Sequence, residues 1–241
     1  MFQSRLSYLF FLLTGLISLS GLAQTTETFD NINSVETFTV PAGVYDITIE
    51  AWGGGGRGGD AESSGPAGGG GSGAYSKSIL SVTPGEEFSI TVGKGGILSR
   101  SGPEDGEESK VTNANDVSEV KVLAKGGASV FNIGDPNGAS GAPVAGDTVG
   151  NDVTSPGNDG ADASATESGK GGNAPNGGGT GGASVSGVNT DGNSGSIPGG
   201  GGSGAASSNS DIFDGGNGGN GQVVITYSIA NIDVNIQGDF A

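Results

Sequence analysis

Carboxylates are the side chains that could do chemistry in this sequence, because it holds 26 Asp and Glu residues but neither Cys nor His. Without Cys and His, no zinc site of the usual ligands and no Ser–His or Cys–His nucleophile pair can be built. Glycosidases do use paired acids, with one carboxyl buried so that its pKa rises. The acidic cluster at 104–108 lies in a polar turn without apolar cover, which favours a solvated loop. We therefore expect no catalytic residues and no enzyme activity.

Calcium is the other species that acidic side chains could hold. Asp159 and Asp162 lie in a segment, 157–162, whose letters loosely match half of a nonapeptide calcium repeat. The segment occurs once, and Ser164 stands where such a repeat has an apolar residue. No loop has the acidic spacing of an EF-hand. We therefore predict no metal and no cofactor. If calcium did bind, Asp159 and Asp162 would be the candidate ligands.

One base stands out among the glycines. Arg57 lies in the run Gly-Gly-Arg-Gly-Gly-Asp at 55–60, with Asp60 three residues after it. Arg57 could bind an acid of a partner, although an ion pair with Asp60 is the simpler interpretation. Arg57 and Asp60 are therefore the candidate binding residues, and no complete binding site can be assigned from the sequence.

The charge balance restricts the partners. Asp and Glu outnumber Lys and Arg by 26 to 9, which gives a formal net charge of -17. So negative a chain repels polyanions, which argues against nucleic acid and anionic lipid as partners. We expect an extracellular protein or glycan instead.

The first 23 residues have the layout of a cleaved secretory signal. Arg5 precedes an apolar run at 6–19, and small residues follow up to Ala23, after which cleavage is expected. The alternative is a membrane anchor, but the run is short for a span of about 20 residues. We predict a secreted or cell-surface protein with no transmembrane segment after cleavage. A secreted chain without Cys is common in bacteria.

The remaining chain shows the period-two alternation of β-strands and no helical periodicity. Six or seven strands are predicted at 26–32, 35–40, 44–52, 74–82, 87–92, 117–124 and 222–229. An all-β fold, an antiparallel β-sandwich of the jelly-roll kind, accommodates them. Its strands occupy 24–125, the final strand lies at 221–230, and 231–241 is a tail or the start of a truncated module.

Glycine-rich insertions separate these strands at 53–73 and 126–220, in a chain with 52 Gly residues. The triplet form Gly-Gly-x repeats at 55–60, 178–183 and 215–220. In a helix of three residues per turn, such triplets place glycine on two faces, so that neighbouring backbones can approach and bond. We predict packed polyglycine-II helices there, the alternative being solvated linker. At 130–168 the glycine spacing is irregular, and long surface loops are expected.

A family resemblance supports this architecture. The residues FTVPAGVYDITIEAWGGGG at 38–56, SVTPGE at 81–86, ITVGKGG at 90–96 and GGNGQVVITY at 218–227 resemble the glycine-rich domain family of bacterial surface and secreted proteins. The lettering is also similar to the glycine-rich ectodomain region of the anaplastic lymphoma and leukocyte receptor tyrosine kinases. In those receptors a tumour-necrosis-factor-like sandwich carries polyglycine-II helices. The resemblance implies a fold more than a function, because these relatives are binding proteins with unrelated targets.

Together these patterns predict a non-enzymatic extracellular protein, with a structural, adhesive or recognition role. Polar loops would be displayed on glycine-rich stems. Two alternatives stay open. One is a secreted enzyme that acts on polysaccharides through carboxylates. The other is an ice-binding protein, for which Thr180 and Ala183 are the only hint of a regular face.

Overall fold

The described part of the chain consists of β-strands and extended segments, without an α-helix. In the computed structural model the described residues are 24–63, 65–99, 102–139, 141 and 153–229. They include the strands β1 (Gln24–Phe29), β2 (Glu36–Thr39), β3 (Asp46–Trp52), β4 (Tyr75–Ser81), β5 (Glu87–Thr91), β6 (Leu98–Ser99), β7 (Gly102–Pro103), β8 (Ser109–Asn113), β9 (Asp116–Ala124), β10 (Val153–Ser155) and β11 (Gln222–Ser228). The expected signal sequence at 1–23 and the expected tail at 231–241 lie outside the described residues.

Two antiparallel sheets form a sandwich. The first has the order β1-β11-β3-β4-β10 and the second the order β2-β5-β8-β9, while β6 and β7 pair separately. Alternate side chains of both sheets point inward and form the main apolar core, which contains Ile47, Ile49, Phe88, Ile90, Val111, Val122, Val223 and Ile225, each at most 1 % exposed. The all-β fold and the antiparallel β-sandwich predicted from period-two alternation are thus confirmed.

Two strands of the sandwich, β8 and β10, were not expected from the sequence. Strand β8 lies between β5 and β9 in the second sheet, and the short β10 pairs with β4 at the edge of the first. β8 follows directly on the acidic cluster and contains a single large apolar residue, Val111. β10 has only three residues. β10 is a strand because of a partner distant in sequence, β4, which local alternation cannot indicate, whereas β8 forms a hairpin with the adjacent β9 and is too poor in apolar residues to show alternation.

The glycine-rich segments form extended stems that bond to one another with a period of three residues. Along the central stem, 53–61, every third N–H donates to stem 66–74, and another set with the same period donates to stem 213–221. The N–O distances of these six bonds are 2.7–3.0 Å, from Gly53, Gly56 and Gly59 in the first set and Gly55, Gly58 and Ala61 in the second. Three residues per turn is the repeat of a polyglycine-II helix. The Gly-Gly-x triplets therefore predicted the stems correctly.

Main-chain atoms, not side chains, fill the space between these stems. A Cβ atom built on Gly55 would lie 2.1 Å from the carbonyl oxygen of Gly200, and one on Gly218 would lie 1.9 Å from that of Gly55. The Cα–H groups thus face carbonyl oxygens of neighbouring stems, as weak hydrogen bonds do. Only glycine fits where two backbones approach so closely.

Within the region 130–168, where loops were expected, the described segment 157–163 is bonded like a stem instead. Gly160 N donates to Ala139 O at 2.9 Å, and Gly69 N donates to Ala161 O at 3.0 Å. Segment 157–163 is therefore a further stem on the outside of the bundle. A stem in that position needs a small residue only on its inward face, and Gly157, Gly160 and Ala163 supply one at every third position.

No helix long and apolar enough to cross a bilayer occurs within the described residues.

Candidate recognition surfaces of the glycine-rich bundle

The stems place one set of turns at the end of the bundle that is remote from the sandwich. The central stem begins where β3 ends at Trp52, and stem 66–74 returns directly to β4. The turn between these two stems therefore lies at the far end. We call this the distal end, and it comprises residues 62–63 and 65–66 together with the turns around 131–136, 164–167, 186–189 and 207–212. A small apolar cluster of Ala61, Ala67, Ala205 and the ring of Phe213 lies beneath it.

A recess of 590 Å³ opens at the distal end. Its lining combines hydroxyl groups and one carboxylate with a few apolar side chains, contributed by Ser63, Pro66, Ala165, Thr166, Glu167, Ser186, Val188, Ser207 and Ser208. Val188 is 63 % exposed. Such a surface can accept and donate hydrogen bonds while it offers a limited apolar contact.

Local hydrogen bonds hold the loops around the recess. The Ser164 hydroxyl accepts the Glu167 N–H at 3.0 Å. The Asn189 side chain accepts the Ser208 N–H at 3.1 Å. A single β-bridge joins Glu167 to Ser186. Hydrogen bonds therefore connect these short turns to each other across the rim of the recess.

Arg57 and Asp60, the candidate binding residues, are brought together by the structure. Arg57 is only 1 % exposed, and its Nη2 forms a hydrogen-bonded ion pair with Asp60 Oδ1. The same oxygen accepts the Gly215 N–H at 2.8 Å. Asp214 Oδ1 lies 3.6 Å from Nη2, beyond a hydrogen bond. The ion pair is the simpler interpretation of the sequence, and through the Gly215 N–H it also ties the central stem to the last one.

The candidate calcium ligands bind backbone in this structure. Asp159 Oδ1 accepts the Gly141 N–H at 2.7 Å, and Asp162 Oδ1 accepts the Gly138 N–H at 2.8 Å. Within the described ranges, no group of three or more Asp or Glu side chains is placed to hold a metal ion. That the protein binds no metal stays a prediction.

The acidic cluster at 104–108 joins neighbouring segments to each other. Asp105 Oδ1 accepts the Ser129 N–H at 2.6 Å, while the Glu104 carbonyl accepts the Ser129 hydroxyl at 2.7 Å. Glu107 O accepts the Gly54 N–H of the central stem at 2.9 Å. The acidic cluster therefore accepts hydrogen bonds from N–H groups of the bundle. Its composition alone did not indicate this role.

A lateral groove of 540 Å³ runs along the side of the bundle between stem 190–196 and stem 213–221. We define it by its side chains, Arg57, Ile97, Leu98, Asp191, Ser194, Asp214 and Asn217. The sequence interpretation did not find this groove. A usable signal was present, because polar residues on each rim are three positions apart, Asp191 with Ser194 and Asp214 with Asn217.

Two tyrosines with displaced pKa values belong to the sandwich. Burial and a 2.5 Å hydrogen bond to Glu50 raise the pKa of Tyr75 above its ordinary value. The hydrogen bond that the Tyr227 hydroxyl donates to Glu27, together with burial, raises the pKa of Tyr227 to about 12. Both hydroxyls therefore stay protonated at neutral pH and act as hydrogen-bond donors.

Comparison with known proteins agrees with this architecture. No curated protein matches the sequence at a significant level. A family model described as a glycine-rich domain matches residues 30–228, which span the sandwich strands from β2 to β11 and the stems between them. On this match, the chain belongs to the glycine-rich domain family.

Proposed function

We propose that this protein is a non-enzymatic extracellular recognition or adhesion module that contacts its partner through the distal end. The observation that carries the proposal is the recess at that end, held at the tip of stems whose backbones bond to one another with a period of three residues. A stiff support of this kind keeps short loops in place.

Stiffness favours recognition for a physical reason. A surface that is already ordered loses less conformational entropy when a partner binds, so more of the contact energy remains as affinity. Hydroxyl-rich loops add hydrogen-bonding groups that can adapt to different partners. The recess combines both properties, because its rim is tied across turns and its lining is rich in Ser.

Secretion is part of the same proposal. It is supported by the signal-like layout of residues 1–23 and by the absence of Cys, which leaves no thiol to oxidise outside the cell. The net charge of -17 supports a partner that is not a polyanion.

Neither alternative function has a specific observation in its favour. The enzyme alternative depends on acidic side chains, and Asp105, in the acidic cluster at 104–108, accepts a backbone N–H. For the ice-binding alternative, the exposed Thr180 hydroxyl forms a 3.2 Å hydrogen bond with that of Ser196.

The proposal is tested with the mature chain, residues 24–241, on arrays of glycans and on immobilised extracellular matrix and biofilm material. The distal variant Val188→Asp introduces a charge at the rim of the recess. The control variant Val117→Asp makes the same change at β9, at a residue that is 70 % exposed. Both changes are on exposed side chains, so both variants should fold.

We expect the unmodified chain to bind at least one surface, Val188→Asp to lose at least tenfold in affinity and Val117→Asp to be unaffected. Equal binding by the two variants would assign contact to another face. Blank results on every surface, with the folded state verified, would overturn the recognition role.

A further inference from the structure

We propose that the lateral groove is a binding site for a neutral saccharide, with Arg57 at its floor. The site is separate from the distal recess, since the two share no lining residue. A volume of 540 Å³ is within the range of small-molecule sites.

The first argument is the incomplete pairing of Arg57. The Arg57 side chain is only 1 % exposed, yet its Nε has no hydrogen-bond partner among the described residues. Nη1 donates to Gly58 O at 3.2 Å, and Nη2 donates to Asp60. A guanidinium has five N–H bonds, and leaving buried donors unpaired is unfavourable. Arg57 is part of the groove lining, so a guanidinium with an unpaired N–H lies beneath the groove.

The second argument is the gap between Arg57 and Asp214. Their closest nitrogen and oxygen are 3.6 Å apart, and the Asp214 side chain is 66 % exposed. A hydroxyl group both accepts and donates hydrogen bonds, so it can join an Arg nitrogen to an Asp oxygen. A carboxylate ion has no donor for Asp214, and an ammonium ion has no acceptor for Arg57.

The third argument is the make-up of the groove walls. Asp191 Oδ1 accepts the Asp214 N–H at 2.9 Å, which fixes the two acidic residues beside each other. Ser194 and Asn217 continue the same rims one stem turn further along. Leu98, which is 47 % exposed, adds an apolar surface against which the C–H groups of a sugar ring can pack.

Charge selects the class of saccharide. Arg57 brings one positive charge, whereas Asp60, Asp191 and Asp214 bring three negative ones. The excess of acid repels sulfated sugars and uronic acids. A metal ion fits poorly, because the described residues hold no cluster of three acidic ligands here. A neutral sugar uses both the donors and the acceptors without bringing a charge of its own.

The experiment titrates isotope-labelled mature protein with neutral oligosaccharides of hexoses and N-acetylhexosamines, and with the corresponding uronic acids. Affinity is measured by calorimetry, and the Arg57 Nε–H signal is followed by NMR. The test variant is Asp214→Ala, which removes an exposed groove carboxylate and leaves the Arg57–Asp60 pair. The matched control is Asp116→Ala, at an exposed Asp outside the groove.

We expect at least one neutral oligosaccharide to bind and to shift the Arg57 Nε–H signal. Asp214→Ala should lower its affinity at least tenfold, Asp116→Ala should not, and the uronic acids should bind at least tenfold more weakly. Equal affinity of the two variants, preference for the acidic sugars, or no neutral ligand in the panel would each overturn the site. Val188→Asp should bind the sugar normally, so failure of the distal surface and failure of the groove are distinguishable.

Discussion

At the scale of single residues, the bundle depends on positions that have no side chain. Gly218 and Gly55 illustrate this, since a Cβ on Gly218 would lie 1.9 Å from the carbonyl oxygen of Gly55. The atom that blocks it belongs to backbone, which cannot move aside as the end of a side chain can. Asn217, the residue before Gly218, is exposed and free of this restriction.

The first prediction concerns Gly218→Ala. We expect the added methyl to push stem 213–221 away from the central stem, and to lower the free energy of unfolding by about 3 kcal/mol, as severe overpacking does. Urea denaturation measures the loss. The control Asn217→Ala should change stability by less than about 0.5 kcal/mol. Similar stabilities for the two variants would contradict a core made of closely packed backbone.

The buried ion pair supports a second prediction. Asp60→Asn leaves the 1 % exposed Arg57 without its closest counter-charge, and we expect a loss of about 3 kcal/mol in the free energy of unfolding. The double variant Arg57→Met with Asp60→Asn removes both charges and should recover part of that loss. A double variant less stable than Asp60→Asn alone would show that the guanidinium contributes mainly through other contacts.

At the scale of elements, β1 is attached to the sandwich by one neighbour, β11. Their ladder runs from the pair Gln24 with Ser228 to the pair Phe29 with Val223. The Tyr227 hydroxyl strengthens it by donating to Glu27 at 2.7 Å. This bond exists only while the tyrosine is protonated.

The third prediction follows from that hydrogen bond. The pKa of Tyr227 is raised to about 12, above the ordinary value of 10, so folding favours the neutral hydroxyl. Its contribution to stability is complete below pH 10 and is lost as the pH rises through 12. Denaturation midpoints measured from pH 8 to 12 should therefore fall less steeply for Tyr227→Phe than for the unmodified chain. Tyr45→Phe, at a residue 61 % exposed, should leave the slope unchanged.

The sequence predicts some elements well because their signal is local. Alternation in β3 and β11 reports their position, and Gly-Gly-x triplets report the stems at 55–60 and 215–220. The local signal fails where a strand forms only because of a partner distant in sequence, as β10 does with β4. It also fails for the order of the stems, because glycines have no side chains to specify which backbone lies beside which. The lateral groove was missed because its polar rims come from two separate stems, and the sequence pattern does not show that these stems lie side by side.

At the scale of the whole molecule, sandwich and bundle are continuous. Trp52 ends β3, and its indole N–H donates to Pro175 O at 2.9 Å. Its ring packs on Tyr75, with centroids 5.0 Å apart. Gly221 N donates to Gly93 O at 2.8 Å, directly before β11 begins. The stems therefore start from ordered strands, which offsets part of the entropy cost of ordering glycine.

The fourth prediction is that both parts unfold together. Fluorescence of Trp52, the only tryptophan, reports the junction, and amide exchange reports the stems. We expect N–H groups at 199–206 to be as protected as those of β3, with one unfolding transition by both probes. Fast exchange in the stems beside a protected β3 would mean that the bundle is not part of the cooperative unit.

The separation between enclosed glycines and outward side chains has an evolutionary consequence. Substitutions at Ser194 or Asn217 change the side chains that line the lateral groove, and they leave the glycine contacts between stems unchanged. A population of such chains can therefore diversify its ligand preferences in single steps, each of which leaves the frame intact. A library randomised at these two codons should yield mostly folded proteins, in contrast to one randomised at Gly55 and Gly218.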